Sequence, residues 1–162
     1  MKEFLDHDTY ILENKVIKDE DGNELGRIEG GASLLGGEYI LYDSQGKKWG
    51  RVKVKLRLTR YVYNFHDHNE TLIAKIKPKL FVLHSFWMED PEGQKIYEIS
   101  KSLGGTKYDI KDKNRSSVAQ VNYIQPIILK IKNLKPLIAL LTMLTIKIYN
   151  LQEAQSDFWM DF

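Results

Sequence analysis

Cysteine is absent from all 162 residues, which excludes a disulfide framework and thiolate zinc sites and agrees with a reducing compartment. The first residues, MKEFLDHDTY, are acidic and lack the apolar stretch of a secretory signal. The serine-bearing stretches GGASLLGG, KSLGG and NRSSV contain no partnered histidine. GGASLLGG also lacks the strand, G-x-G-x-x-G, helix order that cradles a nucleotide phosphate. His66 and His68 flank Asp67 and could share a face, but they fall at a turn of the repeat described next, and no metal site is expected. The chain therefore reads as a non-enzymatic protein that needs no cofactor. No linker interrupts it either, and 43% hydrophobic residues suit a single domain over 1–162 with a real core.

What the chain does have is an internal repeat. Five aspartates, Asp19, Asp43, Asp67, Asp90 and Asp112, open the phrases DEDGNELGRI, DSQGKKWGRV, DHNETLIAKI, DPEGQKIYEI and DKNRSSVAQV. Two residues before each Asp stand Ile17, Leu41, Phe65, Met88 and Ile110; nine after it stand Ile28, Val52, Ile76, Ile99 and Val121. Apolar residues at every second position on both sides of a turn signal make each repeat a β-hairpin. In three copies Gly22, Gly46 and Gly93 close a D-x-x-G turn in which Asp caps backbone N–H groups and Gly takes positive φ. Glu70 and Arg115 replace that glycine in the other two, so those turns are expected to be different or looser.

Five hairpins plus flanking strands near Thr9–Val16 and Ile127–Ile131 make about ten to twelve antiparallel strands in chain order. Such a meander closes on itself to remove its exposed edges. A barrel of about twelve strands is hollow and needs a filler. Residues 134–151, LKPLIALLTMLTIKIYNL, are apolar on every face and carry Pro136 in what would be the first turn of a helix. A helix there would fill the barrel, and the small residues Gly26, Gly50, Ala74 and Ala119, seven positions after their aspartates, would let it approach the wall. The competing reading is a membrane anchor, since 18 residues span about 27 Å. Thr142, Thr145, Lys147 and Asn150 argue for the buried helix. The expected fold is mainly β: a barrel over about 4–132, a central helix over about 134–151 and a tail over 152–162.

The phrases KDEDGNELGRIEG, YDSQGKKWGRVKVKL and YDIKDKNRSSVAQV, followed by a terminal apolar helix, resemble the LURP-one-related proteins. These belong to the tubby C-terminal-like superfamily together with the phospholipid scramblases. The resemblance covers residues 4–151 and implies a twelve-stranded barrel wrapped around a C-terminal helix. Two features depart from it: the segment Asn122 to Asn133 is compressed and contains Pro126, and the tail QEAQSDFWMDF has no counterpart. Tubby domains bind phosphoinositide headgroups, but none of their headgroup residues can be matched here.

Charge is distributed unevenly: residues 1–46 carry 4 basic and 11 acidic side chains, residues 47–79 carry 10 and 2, and residues 80–162 carry 10 and 9. In the middle block Arg51, Lys53, Lys55 and Arg57 alternate with Val52, Val54, Leu56 and Leu58, so a strand would bury the aliphatic residues and present the cations outward. Lys75, Lys77 and Lys79 repeat the pattern one hairpin later, with Arg60 on or next to the strand between. The expectation is a cationic patch on one wall, either a solvated face or an anion-binding surface. Its leading ligand is anionic membrane phospholipid or another phosphate-bearing molecule. The alternatives are a protein-interaction role using loops or the tail Asp157 to Phe162, and a scramblase-like membrane role. Nucleic acid ranks lower because no aromatic base-stacking residues accompany the patch. The expected location is cytoplasmic, peripheral to the inner membrane surface when lipid is bound.

Overall fold

A computed structural model describes residues 3–57 and 60–160, with side chains through Gln155. Twelve strands run in chain order: β1 Thr9–Glu13, β2 Val16–Lys18, β3 Glu24–Ser33, β4 Gly36–Asp43, β5 Lys48–Arg57, β6 Arg60–Asp67, β7 Leu72–Pro78, β8 Ser85–Glu89, β9 Lys95–Lys101, β10 Lys107–Lys111, β11 Ser117–Asn122 and β12 Ile127–Ile131. Each pairs antiparallel with its neighbours in sequence, and β1 pairs with β12, closing the barrel. Closure leaves no unpaired edge to recruit another chain.

Alternation decides which residues enter the core. Ile17, Leu41, Phe65, Met88 and Ile110 before the turns are fully or almost fully buried, as are Ile28, Val52, Ile76, Ile99 and Val121 after them. The side chains between point outward.

All five turns share one geometry, including the two expected to differ. In each, the Asp backbone N–H donates to the carbonyl four residues on, and the residue three after the Asp donates back to the Asp carbonyl. One carboxylate oxygen of each Asp accepts two further backbone N–H bonds, for example Asp112 Oδ1 from Asn114 and Ser116 at 2.9 and 3.0 Å. The ladder register shifts beside every such turn, the mark of a bulge. Glu70 and Arg115 adopt φ of 64° and 62°, the left-handed conformation that Gly takes elsewhere. Five hydrogen-bonded Asp turns impose the shape, and the non-glycine residues absorb the strain.

α1, Pro136–Met160, runs inside the barrel. Eight successive residues, Ala139 to Ile146, are buried, so the wall surrounds the helix on every side over two turns. The buried Thr142 and Thr145 donate their hydroxyls to the Ile138 and Leu141 carbonyls at 2.7 and 2.9 Å, a helix-compatible way to satisfy them. Of the two glycines among the small wall residues, Gly50 is the one that faces the helix: a Cβ built there would stand 3.4 Å from Leu137 Cδ1 and 3.6 Å from Leu141 Cδ1, whereas one at Gly26 would meet Phe4 and the β4 backbone. Among the described residues, no helix is long and apolar enough to cross a membrane.

The helix corrects one boundary. It was expected to end at Leu151 with a separate tail over 152–162, yet it continues to Met160. No Gly or Pro follows Pro136, and Leu151, Gln152, Glu153, Ala154 and Gln155 are good helix formers, so nothing stops the helix where it leaves the apolar interior. The side chains of the tail segment Asp157 to Phe162 lie outside the described residues.

Candidate functional site

β5, β6 and β7 stand side by side, and their register fixes the cationic wall. On the outer face Arg51 lies opposite His66, Lys53 opposite Asn64, Lys55 opposite Val62 and Arg57 opposite Arg60. Asn64 in turn faces Lys75 on β7. The alternation that buries Val52 and Val54 therefore turns Arg51, Lys53, Lys55 and Arg57 outward as expected. It fails at Leu56, which is 45% exposed, because β5 there runs past the end of the packed interior. Leu58, also expected to be buried, lies outside the described residues.

The seven cations separate into two groups. Arg51 is held by Glu38 at 3.1 Å and Glu70 at 2.6 Å, and Glu70 also pairs with Lys48. Lys77 pairs with Glu89, and Lys79 with Glu98, each at 3.0 Å. Lys79 was expected to continue the alternation of its strand. It lies one residue past β7 and turns over the Trp87 ring, its Nζ 4.2 Å from the ring centroid. Among the described residues, Lys53, Lys55, Arg57 and Lys75 have no acidic group within 4.0 Å, and neither does Arg60.

Three of these unneutralised cations, Arg57, Arg60 and Lys75, line a shallow depression of about 310 Å³ together with Val62, Asn64 and the paired Lys77, while Lys53 and Lys55 stand on the wall outside it. A second depression of about 460 Å³ shares Arg60 and Lys77 and leads toward Leu80 and Val82. The positive field is felt by His66, whose pKa is pushed below the ordinary histidine value first by burial and then by Arg51, with Lys53 and Lys55 adding to it against Glu70. Asn64 presents a buried amide oxygen that has no donor among the described residues. Chemically, the wall offers several ammonium and guanidinium donors at a shallow, open surface. That suits a phosphate or sulfate group and leaves its organic remainder in solvent.

No group of three or more His, Asp or Glu side chains among the described residues could hold a metal ion. His66 and His68 end β6 and begin the turn after it. The sequence located the cations without their partners. Glu38, Glu89 and Glu98 stand on β4, β8 and β9, and only the cross-strand register shows which lysine or arginine each reaches.

A closed antiparallel barrel of this strand order around a central helix defines the tubby-like class. The profile of the LURP-one-related family, a member of that superfamily, matches residues 10–134, and the chain belongs to that family. A crystal structure of a protein from Arabidopsis thaliana is similar to it, with 14% sequence identity over 88% of this chain and 89% of the other, at a TM-score of 0.59. At that identity the likeness speaks to the fold alone. No curated protein matches the sequence.

Proposed function

We propose that the protein is a non-enzymatic module that recognises anionic phospholipid headgroups at a membrane surface. Lys53, Lys55, Arg57 and Lys75, joined by Arg60, are the contacts. The observation that carries this reading is the division of the wall: carboxylates engage Arg51, Lys77 and Lys79, while five adjacent cations lack any acidic partner among the described residues. Like charges on neighbouring strands destabilise a sheet, so an anionic ligand would relieve a cost that the fold otherwise carries.

Each Lys or Arg brought to an anionic leaflet contributes about 1 kcal/mol, so five would give about 5 kcal/mol, enough for loose and salt-sensitive attachment. The test is vesicle cosedimentation across a series of phosphatidylserine contents at two salt concentrations. Binding should rise with phosphatidylserine, fall with salt, and drop by more than about a hundredfold when Lys53, Lys55 and Arg57 are all changed to Glu, since three cations are lost and three repelling charges replace them. Binding that is absent at low salt, or indifferent to those substitutions, would overturn the proposal.

A further inference from the structure

In an up-and-down meander alternate turns lie at opposite ends of the barrel, and the two ends here are chemically unlike. The Asp-led turns, residues 19–24, 43–48, 67–72, 90–95 and 112–117, hold ten Asp or Glu against five Lys or Arg. The described loops at the other end, residues 14–15, 34–35, 79–84, 102–106 and 123–126, contain no acidic residue. Arg57, Arg60, Lys101 and Lys107 stand at the strand ends beside them, against two acids, Glu13 at the end of β1 and Glu153 on the emerging helix.

Every large apolar side chain that is exposed among the described residues lies at this second end. Leu35 sits between β3 and β4, Leu56 near the end of β5, Leu80 to Leu83 between β7 and β8, Leu103 between β9 and β10, Ile124 between β11 and β12, and Leu151 on the emerging helix. Four consecutive exposed apolar residues, Leu80-Phe81-Val82-Leu83, are the most prominent. Phe81 and His84 in that loop hold φ of 63° and 55°, a left-handed backbone that bulky residues rarely adopt. The strained loop presents Phe81 fully to solvent, above a cavity of about 430 Å³ lined in part by Tyr61, Phe86 and Tyr149. Backbone strain that holds an aromatic ring out in water is a feature of functional loops.

An apolar rim, a cationic collar with no acidic residue in its loops, and an acidic opposite pole together match the layered chemistry of an anionic bilayer, where headgroup charge overlies hydrocarbon. We infer that the protein docks with this end toward an anionic bilayer, leaning on the β5–β7 wall, and that Leu80, Phe81 and Leu83 enter the interfacial layer. The inference rests on the lipid reading proposed above and adds to it an orientation and an apolar component that salt does not screen.

Because the chain has no cysteine, single thiol labels report the orientation directly. The full chain carrying Phe81→Cys, and separately Asp21→Cys at the acidic pole, would be labelled with an environment-sensitive dye and mixed with phosphatidylcholine–phosphatidylserine vesicles. The label at position 81 should shift to the blue and be quenched by spin-labelled lipid, while that at position 21 stays unchanged. In parallel, Leu80→Ser combined with Leu83→Ser should weaken vesicle partitioning by roughly tenfold or more and abolish what remains at high salt. Both leucines are exposed, so the fold should persist, as a melting curve would confirm. If vesicles bind but neither label moves, or both move alike, or the serine variant binds as well as the parent, the end-on insertion is wrong while the cationic reading stands. Failure of the parent protein to bind at all would remove both.

Discussion

Arg115 allows the turn account to be tested as a free energy. It sits at the fourth position of the last Asp-led turn with φ of 62°, where Gly22, Gly46 and Gly93 occupy the equivalent positions at 86°, 81° and 86°. Its side chain is exposed and forms no hydrogen bond or ion pair among the described residues. A left-handed conformation costs an L-residue about 1–2 kcal/mol, whereas glycine pays instead an extra unfolded-state entropy of about 0.4–1 kcal/mol. Arg115→Gly should therefore stabilise the fold by about 0.5–1 kcal/mol, raising Tm by about 1–4 °C for a domain of this size. Gly93→Ala should produce the opposite change of similar size. Glu70→Gly supplies the internal control: it relieves the same strain but removes the partner of Lys48 and Arg51, so its gain should be cancelled or reversed. Paired thermal and urea melts of the three variants would check this. A lowered Tm for Arg115→Gly, with the denaturant slope unchanged, would refute the claim that the five turns are equivalent.

Other perturbations probe the core and its contact with the helix. Gly50→Ala would place a Cβ 2.7 Å from the His66 carbonyl oxygen and against Leu137; it should cost about 1–3 kcal/mol, measurable by urea unfolding. Tyr63 donates its hydroxyl to Gln152 Oε1 at 2.9 Å, while Gln152 Nε2 donates to the Ser33 carbonyl at 3.1 Å, together fastening the outgoing helix to the barrel mouth. Tyr63→Phe leaves a buried acceptor unpaired and should cost about 1–3 kcal/mol, with faster proteolysis of the helix end. His66 and His84 both have pKa values lowered chiefly by burial. The unfolded chain therefore takes up protons first, so stability present at neutral pH should fall as pH drops below about 6.5 toward the folded values. His84→Asn, which tolerates the left-handed backbone, should flatten part of that slope in melts across this range.

Much of the architecture was legible because a period-two pattern repeated five times leaves few alternatives. Ile17 through Ile110 and Ile28 through Val121 mark the inner face, and an all-apolar helix fits only inside a barrel that such strands can close. The misreadings have physical causes. The turns at Glu70 and Arg115 were expected to be different or looser because propensity favours glycine there, yet the two N–H bonds to each Asp carboxylate outweigh a modest backbone cost. The helix end at Leu151 was placed by hydropathy, whereas helix propensity carries it on to Met160. The wall was half legible. Alternation aimed Arg51 to Arg57 outward, but that Glu38 and Glu70 neutralise Arg51 while Glu89 and Glu98 take Lys77 and Lys79 depends on register and side-chain reach. Leu56 broke the pattern because β5 outlasts the core. The apolar rim left a faint signal, the run Leu80 to Leu83 at a loop position between two strands, legible only once the strand ends were known.

The most direct measurement compares two variants of equal net charge: Lys53→Ala with Lys55→Ala on the β5 wall, and Lys130→Ala with Lys132→Ala on and just beyond β12. β12 stands across the barrel from β6 in the closed strand order, and both of its substituted lysines are exposed. Titrated with phosphatidylserine-containing vesicles at low salt, the β5 pair should weaken binding by roughly thirtyfold, about 1 kcal/mol for each cation lost from the contact, and the β12 pair should change it little. Equal weakening by both would mean that net charge alone draws the protein to membranes, and no weakening by either would mean that the cationic wall is not a binding surface.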